Sequence, residues 1–240
     1  MLIILYEEIL SKLKLSILNQ NLFLNRNCKG YIIPHLYQNE TECKDLPEPT
    51  WKCTICNTTE FKNKINNILK KIAYDYSMTD KQDTISCEIF LNHYDQNQLL
   101  HPNHYFLNDV RFKLAQLYGQ TIQNDIQSLT DAELERKIKL CRQSLEFATI
   151  LYPAEWRIQG VLKFELHASI AEDSRRKMIN CEISADILKS KLLESKKWLQ
   201  ETILCLKYEP DALPEGKIAK QAEKNLIDLE SLLMRLYFQI

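Results

Sequence analysis

Glycine is scarce in this chain, with four residues in 240. Tight hairpins and phosphate-cradling loops rely on a residue that takes positive φ without steric cost, so the shortage disfavours both and favours long helices joined by few sharp turns. An excess of charge of one sign is also lacking. Lysine and arginine number 31 against 32 acidic residues, a net charge of −1, which gives no bulk attraction to nucleic acid or to an anionic membrane. A membrane span needs about 20 mostly apolar residues, and no uncharged run approaches that. The most apolar stretch, residues 1–24, is interrupted by Glu7, Glu8, Lys12 and Lys14. No basic region precedes an apolar block and no small-residue cleavage site follows one, so this stretch is not read as a signal peptide. It reads as an amphipathic helix, or as the imperfect start of a truncated chain. The serine nucleophile elbow, the G-x-x-x-x-G-K-[ST] loop, G-x-G-x-x-G and H-E-x-x-H are all missing. The residues by themselves spell out no catalytic centre.

What is present is an ordinary globular composition, 45% hydrophobic and 26% charged, in a length that suits one large domain or two small ones. Eight cysteines stand out. Without a secretory signal they read as thiols and candidate metal ligands rather than disulfides. Cys28, Cys43, Cys53 and Cys56 crowd into one segment, whereas Cys87, Cys141, Cys181 and Cys205 are scattered and read as small core hydrophobes.

Residues 25–58 carry Pro34, Pro47, Pro49, several asparagines and the clustered cysteines. No helical period survives there, so loop and short strand are expected. Helix resumes over 60–78, with Ile65, Ile68, Leu69 and Ile72 on one face, and again briefly over 86–94. His101-Pro102-Asn103 opens a helix that runs to Leu117-Tyr118 and stops at Gly119, with Phe106, Val110, Leu114 and Leu117 as its stripe. Residues 120–129 read as a polar loop.

Thr130-Asp131-Ala132-Glu133 is a capping box. The helix it opens carries Leu134, Ile138, Cys141, Leu145 and Ala148 and ends at Pro153. Over 156–178 the apolar residues cover more than half the circumference, the mark of a central helix with neighbours on two sides. Ser184 caps the next helix, which runs to Tyr208. Pro210 and Pro214 flank a turn, and 217–237 forms the last helix, with Ile218, Ala222, Leu226, Leu229, Leu233 and Leu236 on one stripe. Long helices joined by short turns pack antiparallel. The fold expected is therefore mostly α: an antiparallel, tetratricopeptide-like helical array with a small N-terminal zinc-knuckle segment. No clean 34-residue consensus appears, although Leu114 to Gly119 echoes part of one.

Zinc takes four soft or borderline ligands in a tetrahedron, and a C-x2-C knuckle supplies two from one tight turn. Cys53 and Cys56 fit that spacing. Cys28 follows Asn25 by the same spacing, where a second knuckle would place its first cysteine; Cys43 or a histidine such as His35 then completes the set. The competing reading leaves these thiols reduced and unligated. A thioredoxin-like role is disfavoured, because Lys52 separates Trp51 from Cys53 and no βαβ pattern surrounds the motif. His101 and His104 suit capping and packing, and His167 suits a satisfied core histidine better than a catalytic base. Arg175, Arg176 and Lys177, and the lysines at 189, 191, 196 and 197, read as solvated helix faces.

Taken in order, several segments resemble the C-terminal half of the arthropod SET and MYND domain-containing proteins, the SmydA or msta-like group. They are Cys28-Lys-Gly-Tyr-Ile-Ile-Pro34, Trp51-Lys-Cys53-Thr-Ile-Cys56, the runs 100–105, 114–119, 135–141 and 165–168, and Lys207-Tyr-Glu-Pro-Asp-Ala-Leu-Pro-Glu-Gly216. The resemblance covers roughly residues 22–236 and implies a zinc-binding post-SET segment followed by a helical, tetratricopeptide-like domain. In intact relatives the SET domain transfers a methyl group from S-adenosylmethionine to a lysine, the post-SET cysteines help close the pocket, and the helical domain walls the substrate cleft. The SET core and the MYND module are not in this sequence, and Asn25 stands where the family has a cysteine.

The domains expected are therefore an N-terminal helix or unplaced segment (1–24), a post-SET-like knuckle (25–58) with Cys28, Cys43, Cys53 and Cys56 as zinc ligands, and the helical array (59–240). The function expected is a protein- or peptide-binding module of a monomeric cytoplasmic or nuclear protein, with no direct nucleic-acid or membrane contact and no methyl transfer of its own. One alternative is part of a lysine methyltransferase whose SET domain, and with it S-adenosylmethionine, lies outside this chain. Another is a metal-free helical scaffold.

Overall fold

The computed structural model describes residues 32–35, 50–53, 55–97, 100, 102–121, 124–151 and 153–238. The expected helix within residues 1–24, and Asn25, Cys28 and Cys43, lie outside them. The described residues are mostly helical, as the glycine shortage and the apolar stripes anticipate. None of their helices is long and apolar enough to cross a membrane. The chain divides into two compact units, residues 1–110 and 111–240.

The first unit holds a three-stranded antiparallel sheet of β1 (Ile32–His35), β2 (Thr50–Cys53) and β3 (Thr59–Phe61), with β2 in the middle. Register places Ile32 opposite Cys53 and His35 opposite Thr50. Helix α1 (Lys62–Met78) follows directly and buries Ile65 and Ile72, two of the four positions on its predicted face. Helix α2 (Thr84–Asn97) is longer than its apolar core suggests. Its start is fixed by Asp83, whose carboxylate accepts from the amides of Ile85 and Ser86. Helix α3 (Tyr105–Leu117) begins where expected and ends ahead of Gly119, whose φ of 85° is the left-handed stop. Its burial is not a stripe: residues 104–115 are buried all round, Arg111 and Lys113 included. In the first unit Tyr76 stacks on Phe106 at 4.4 Å and donates its hydroxyl to Asp109 at 2.5 Å, while Tyr94 donates to Asp75 at 2.5 Å. Burial, reinforced by those carboxylates, pushes both phenols well above their ordinary range and keeps them protonated donors.

The second unit takes up residues 111–240. The described residues of the stretch read as a polar loop form short elements instead: β4 (Gln120–Thr121) pairs with β5 (Asn124–Asp125), which leads into a 3-10 turn at Ile126–Ser128. The reason lies outside the loop. Arg176 donates to the carbonyls of Ile126, Gln127 and Leu129 and to the Asp131 carboxylate, so one guanidinium holds backbone groups that a free loop would give to water. Arg176 is thus no solvated face residue.

Helix α4 (Asp131–Leu151) starts on the expected capping box. The Glu133 amide donates to Thr130 Oγ1 at 3.3 Å, and the Glu133 carboxylate accepts from the Thr130 amide at 2.8 Å. That reciprocal bonding holds the Glu133 carboxyl below its usual range. Helix α5 (Trp156–Ile179) is the central one, buried along Ile158, Val161, Leu162, Leu166 and Ile170.

Its end is a Schellman turn: Glu182 donates to the Lys177 carbonyl, Cys181 to that of Met178, and Cys181 takes the left-handed position at φ 57°. Cys181 is therefore exposed, unlike the buried Cys87 and Cys141, and is no core hydrophobe. Ser184 caps helix α6 (Ala185–Leu206) through the Ile187 amide. Helix α7 (Pro214–Phe238) begins three residues earlier than expected, because Pro214 suits the first turn of a helix. Gly216 is required there: a Cβ would lie 2.2 Å from the Pro210 carbonyl oxygen.

Helices α5 and α6 approach closely at Gly160, where a Cβ would come within 2.6 Å of Leu206. Two hydroxyls of α6, seven residues apart, seal the seam: Thr202 donates to the Gly160 carbonyl and Ser195 to that of His167. Helix α7 then closes on α6 through Leu192, Leu199, Ala222, Leu229 and Leu233.

Candidate functional site

Helices α5, α6 and α7 leave a cleft of about 500 Å³ between them. On α5 the wall residues succeed one another from His167 through Ala171 to Ile179, and on α7 from Asn225 through Leu229 to Leu236. Leu188 and Leu192 of the first turns of α6 form the floor. The size falls within the range of binding pockets, and the lining is almost wholly aliphatic. Ala168 and Ala171 make room for the cleft on the α5 side, and the leucine stripe of α7 supplies the opposite side. The stripe legible in the sequence enters the core at Leu229 and Leu233, while Leu232, which is off that stripe and 44% exposed, stands at the lip.

The closed end is polar. His167, 5% exposed, donates Nδ1–H to the Phe164 carbonyl and accepts at Nε2 from the Asn225 amide at 3.3 Å; this pair of partners fixes the neutral tautomer. Asn225 in turn accepts from Gln221 at 2.7 Å. Burial pushes the His167 pKa down to about 4, against smaller upward pulls from the Phe164 carbonyl and Glu165. The histidine is a satisfied core residue, as expected, and its neutral ring forms part of the cleft. Midway along the α5 wall Glu172 is gripped by Arg175 through two bonds of 2.8 Å and by Arg176 through a third. The Arg175 bonds come first in holding its carboxyl below the usual range.

The predicted metal residues are only partly in view. Cys53 closes β2 and is buried; Cys56 is half-buried. Asn57, at φ 59°, turns the chain back so that the Cys53 amide donates to the Thr58 carbonyl at 2.9 Å, and Cys56 Sγ lies 3.1 Å from Thr58 Oγ1. Cys53 and Cys56 thus stand at the turn between β2 and β3, with asparagine in the left-handed position that favours glycine or asparagine. Ile32 lies beside Cys53, so β1 enters the sheet at the knuckle; His35 pairs three residues further along β2, roughly 10 Å of strand away. Cys28 and Cys43 lie outside the described residues, among which no three His, Cys, Asp or Glu gather as a metal set.

His104 is buried and accepts from the Phe106 amide at 3.2 Å, a capping role as expected. The residue that sequence reasoning missed is Lys137. It is 1% exposed and its ammonium donates to the carbonyls of Ala115 and Tyr118 and to Glu165 at 2.7 Å. Three residues separate it from Leu134 and four from Cys141 on the same face of α4, so its place on the apolar stripe was a readable signal. No protein-family model matches the chain, and no curated protein matches it.

Proposed function

We propose that this chain is a helical protein-interaction module of the SET and MYND type, tetratricopeptide-like in its stacking, that takes a partner segment in the α5–α6–α7 cleft and performs no methyl transfer of its own. The apolar cleft carries the reading. A trough lined by leucine and isoleucine suits an apolar partner surface, and it lies in the helical part to which the family resemblance assigns the substrate-cleft wall. A photocrosslinking residue placed at Leu232 should join the full-length chain to a defined protein in cells. The adduct should be lost when Ala171→Phe fills the cleft, and the same crosslinker at the 85% exposed Tyr208 should not give it. Equal labelling from both positions rejects the reading.

The reading includes a zinc ion on Cys53 and Cys56, with Cys28 and Cys43 completing the set. The turn that separates Cys53 from Cys56 supports it. Register disfavours His35 as the fourth ligand. Bound zinc would hold the thiolates together and clip the loop to the sheet. Elemental analysis of the purified chain should give one zinc per chain, falling to background in Cys53→Ser/Cys56→Ser. A value well under one in the unsubstituted chain removes the metal from the proposal.

A further inference from the structure

A further cavity, of about 310 Å³, belongs to the first unit and opens between the last turn of α1 and one face of α2. We infer that it binds a small organic ammonium ion, an amine carried on an apolar body, with the Asp75 carboxylate as the counter-charge. Asp75 lines the cavity from the last turn of α1. That turn is the negative end of the helix dipole, where a basic residue is favourable, and it holds none. The carboxylate and the dipole therefore add to one negative field. Among the described residues the Asp75 side chain has one partner, the Tyr94 hydroxyl at 2.5 Å. Burial first, then Asp75 itself, keep that phenol protonated. It is a neutral donor, so it aims the carboxylate and leaves the charge uncompensated. Lys81, just past the end of α1, is committed elsewhere: its ammonium lies over the Tyr76 ring at 4.0 Å and donates to the Tyr76 carbonyl at 3.4 Å.

The other walls suit the body of such a ligand. One face of α2 supplies the rings of Phe90, His93 and Tyr94, packed on one another with centroids 4.8 Å apart. Aromatic faces attract a cation as well as apolar groups, and Met78 and Ile89 stand exposed at the rim. Among the described residues no lysine or arginine lines the cavity, so an anion would meet the carboxylate with nothing to hold it. Ser86 and His93 both line it, but they stand seven residues apart on α2, roughly 10 Å. That is too far for a nucleophile and its base, so the cavity binds rather than reacts. The volume lies at the lower end for binding pockets, which suits a small ligand. A free amine and the side chain of a protein lysine share this chemistry.

Isothermal titration of the full chain with phenethylammonium should show saturable binding. Phenethyl alcohol and hydrocinnamate, its neutral and anionic counterparts, should bind about tenfold more weakly or less, the scale of one charged hydrogen bond. Asp75→Asn keeps an acceptor for Tyr94 and should weaken the ammonium by about tenfold while leaving the alcohol unchanged. Ile89→Lys, at a rim position 65% exposed where folding is not at stake, brings an ammonium of its own and should abolish binding. Tighter binding of an acetylated lysine amide than of phenethylammonium would make the source a protein lysine, and weaker binding a free amine; either result supports an ammonium site. The inference is overturned if neither ammonium saturates, if ammonium and alcohol bind equally, or if Asp75→Asn binds as the unsubstituted chain does.

Discussion

Replacing Lys137 by alanine should cost the second unit about 3–5 kcal/mol, the scale for breaking a buried ion pair from one side. Helix α3 ends with carbonyls that have no partner within the helix, and the carbonyls of Ala115 and Tyr118 find theirs in the Lys137 ammonium from the facing side of α4. The same ammonium pairs with Glu165 of α5, so one side chain fastens three helices. Alanine withdraws the ammonium from two carbonyls and a carboxylate, and adds the lost packing of a four-carbon stem. Lys137→Met restores the stem without the charge and should recover only a minor part. Lys137→Met/Glu165→Gln, which also removes the carboxylate charge, should recover more. Urea denaturation followed by circular dichroism reads these differences. A loss below about 1 kcal/mol for the alanine variant would mean that water replaces the ammonium and that the tie is not structural.

The second large effect is one of pH. Folding lowers the His167 pKa to about 4 from an unfolded value of about 6.5. Above pH 6.5 the ring is neutral in both states and its contribution is fully present. Between 6.5 and 4 the unfolded chain binds the proton and the folded chain does not, so stability falls as pH falls, by about 3 kcal/mol across the window. Carboxylates held below their ordinary range, such as Glu172 and Glu133, act lower down: their contribution is present above about pH 4.5 and lost below it. The interval from pH 6.5 to 4.5 therefore belongs mainly to the histidine. Denaturation midpoints measured at half-unit steps should slope through this interval in the unsubstituted chain and flatten in His167→Gln. Parallel slopes in the two proteins would assign the effect elsewhere. Protonating His167 also turns its Nε2 from acceptor to donor against the Asn225 amide, so the closed end of the cleft should loosen over the same range.

Local signals in the chain carried a good deal. The Thr130 capping box, the Ser184 cap, the stop at Gly119 and the breaks around Pro153 and Pro210 are short-range chemistry, complete within a few residues, and each stands where the sequence puts it. The C-x2-C pair falls on the turn between β2 and β3, and half of its intended ligand set lies outside the described residues. Long-range partners were not legible. Arg176 looks like any helix-face arginine until α5 folds against the 126–131 segment and exposes it to four acceptors. Cys181 looks like a small apolar residue until the helix end needs a left-handed position and, in a chain so poor in glycine, a cysteine takes it.

By itself, then, the sequence determined where helices begin and end and which faces are apolar, because those depend on backbone capping and on a period of 3.6 residues that neighbours cannot alter. Only the tertiary structure decided which apolar residues stay uncovered. On α7 Leu229 and Leu233 of the predicted stripe enter the core, whereas Leu232, equally apolar but off that stripe, remains at the lip. That division comes from where α5 places His167 and its two alanines, and no local pattern encodes the distance between two helices.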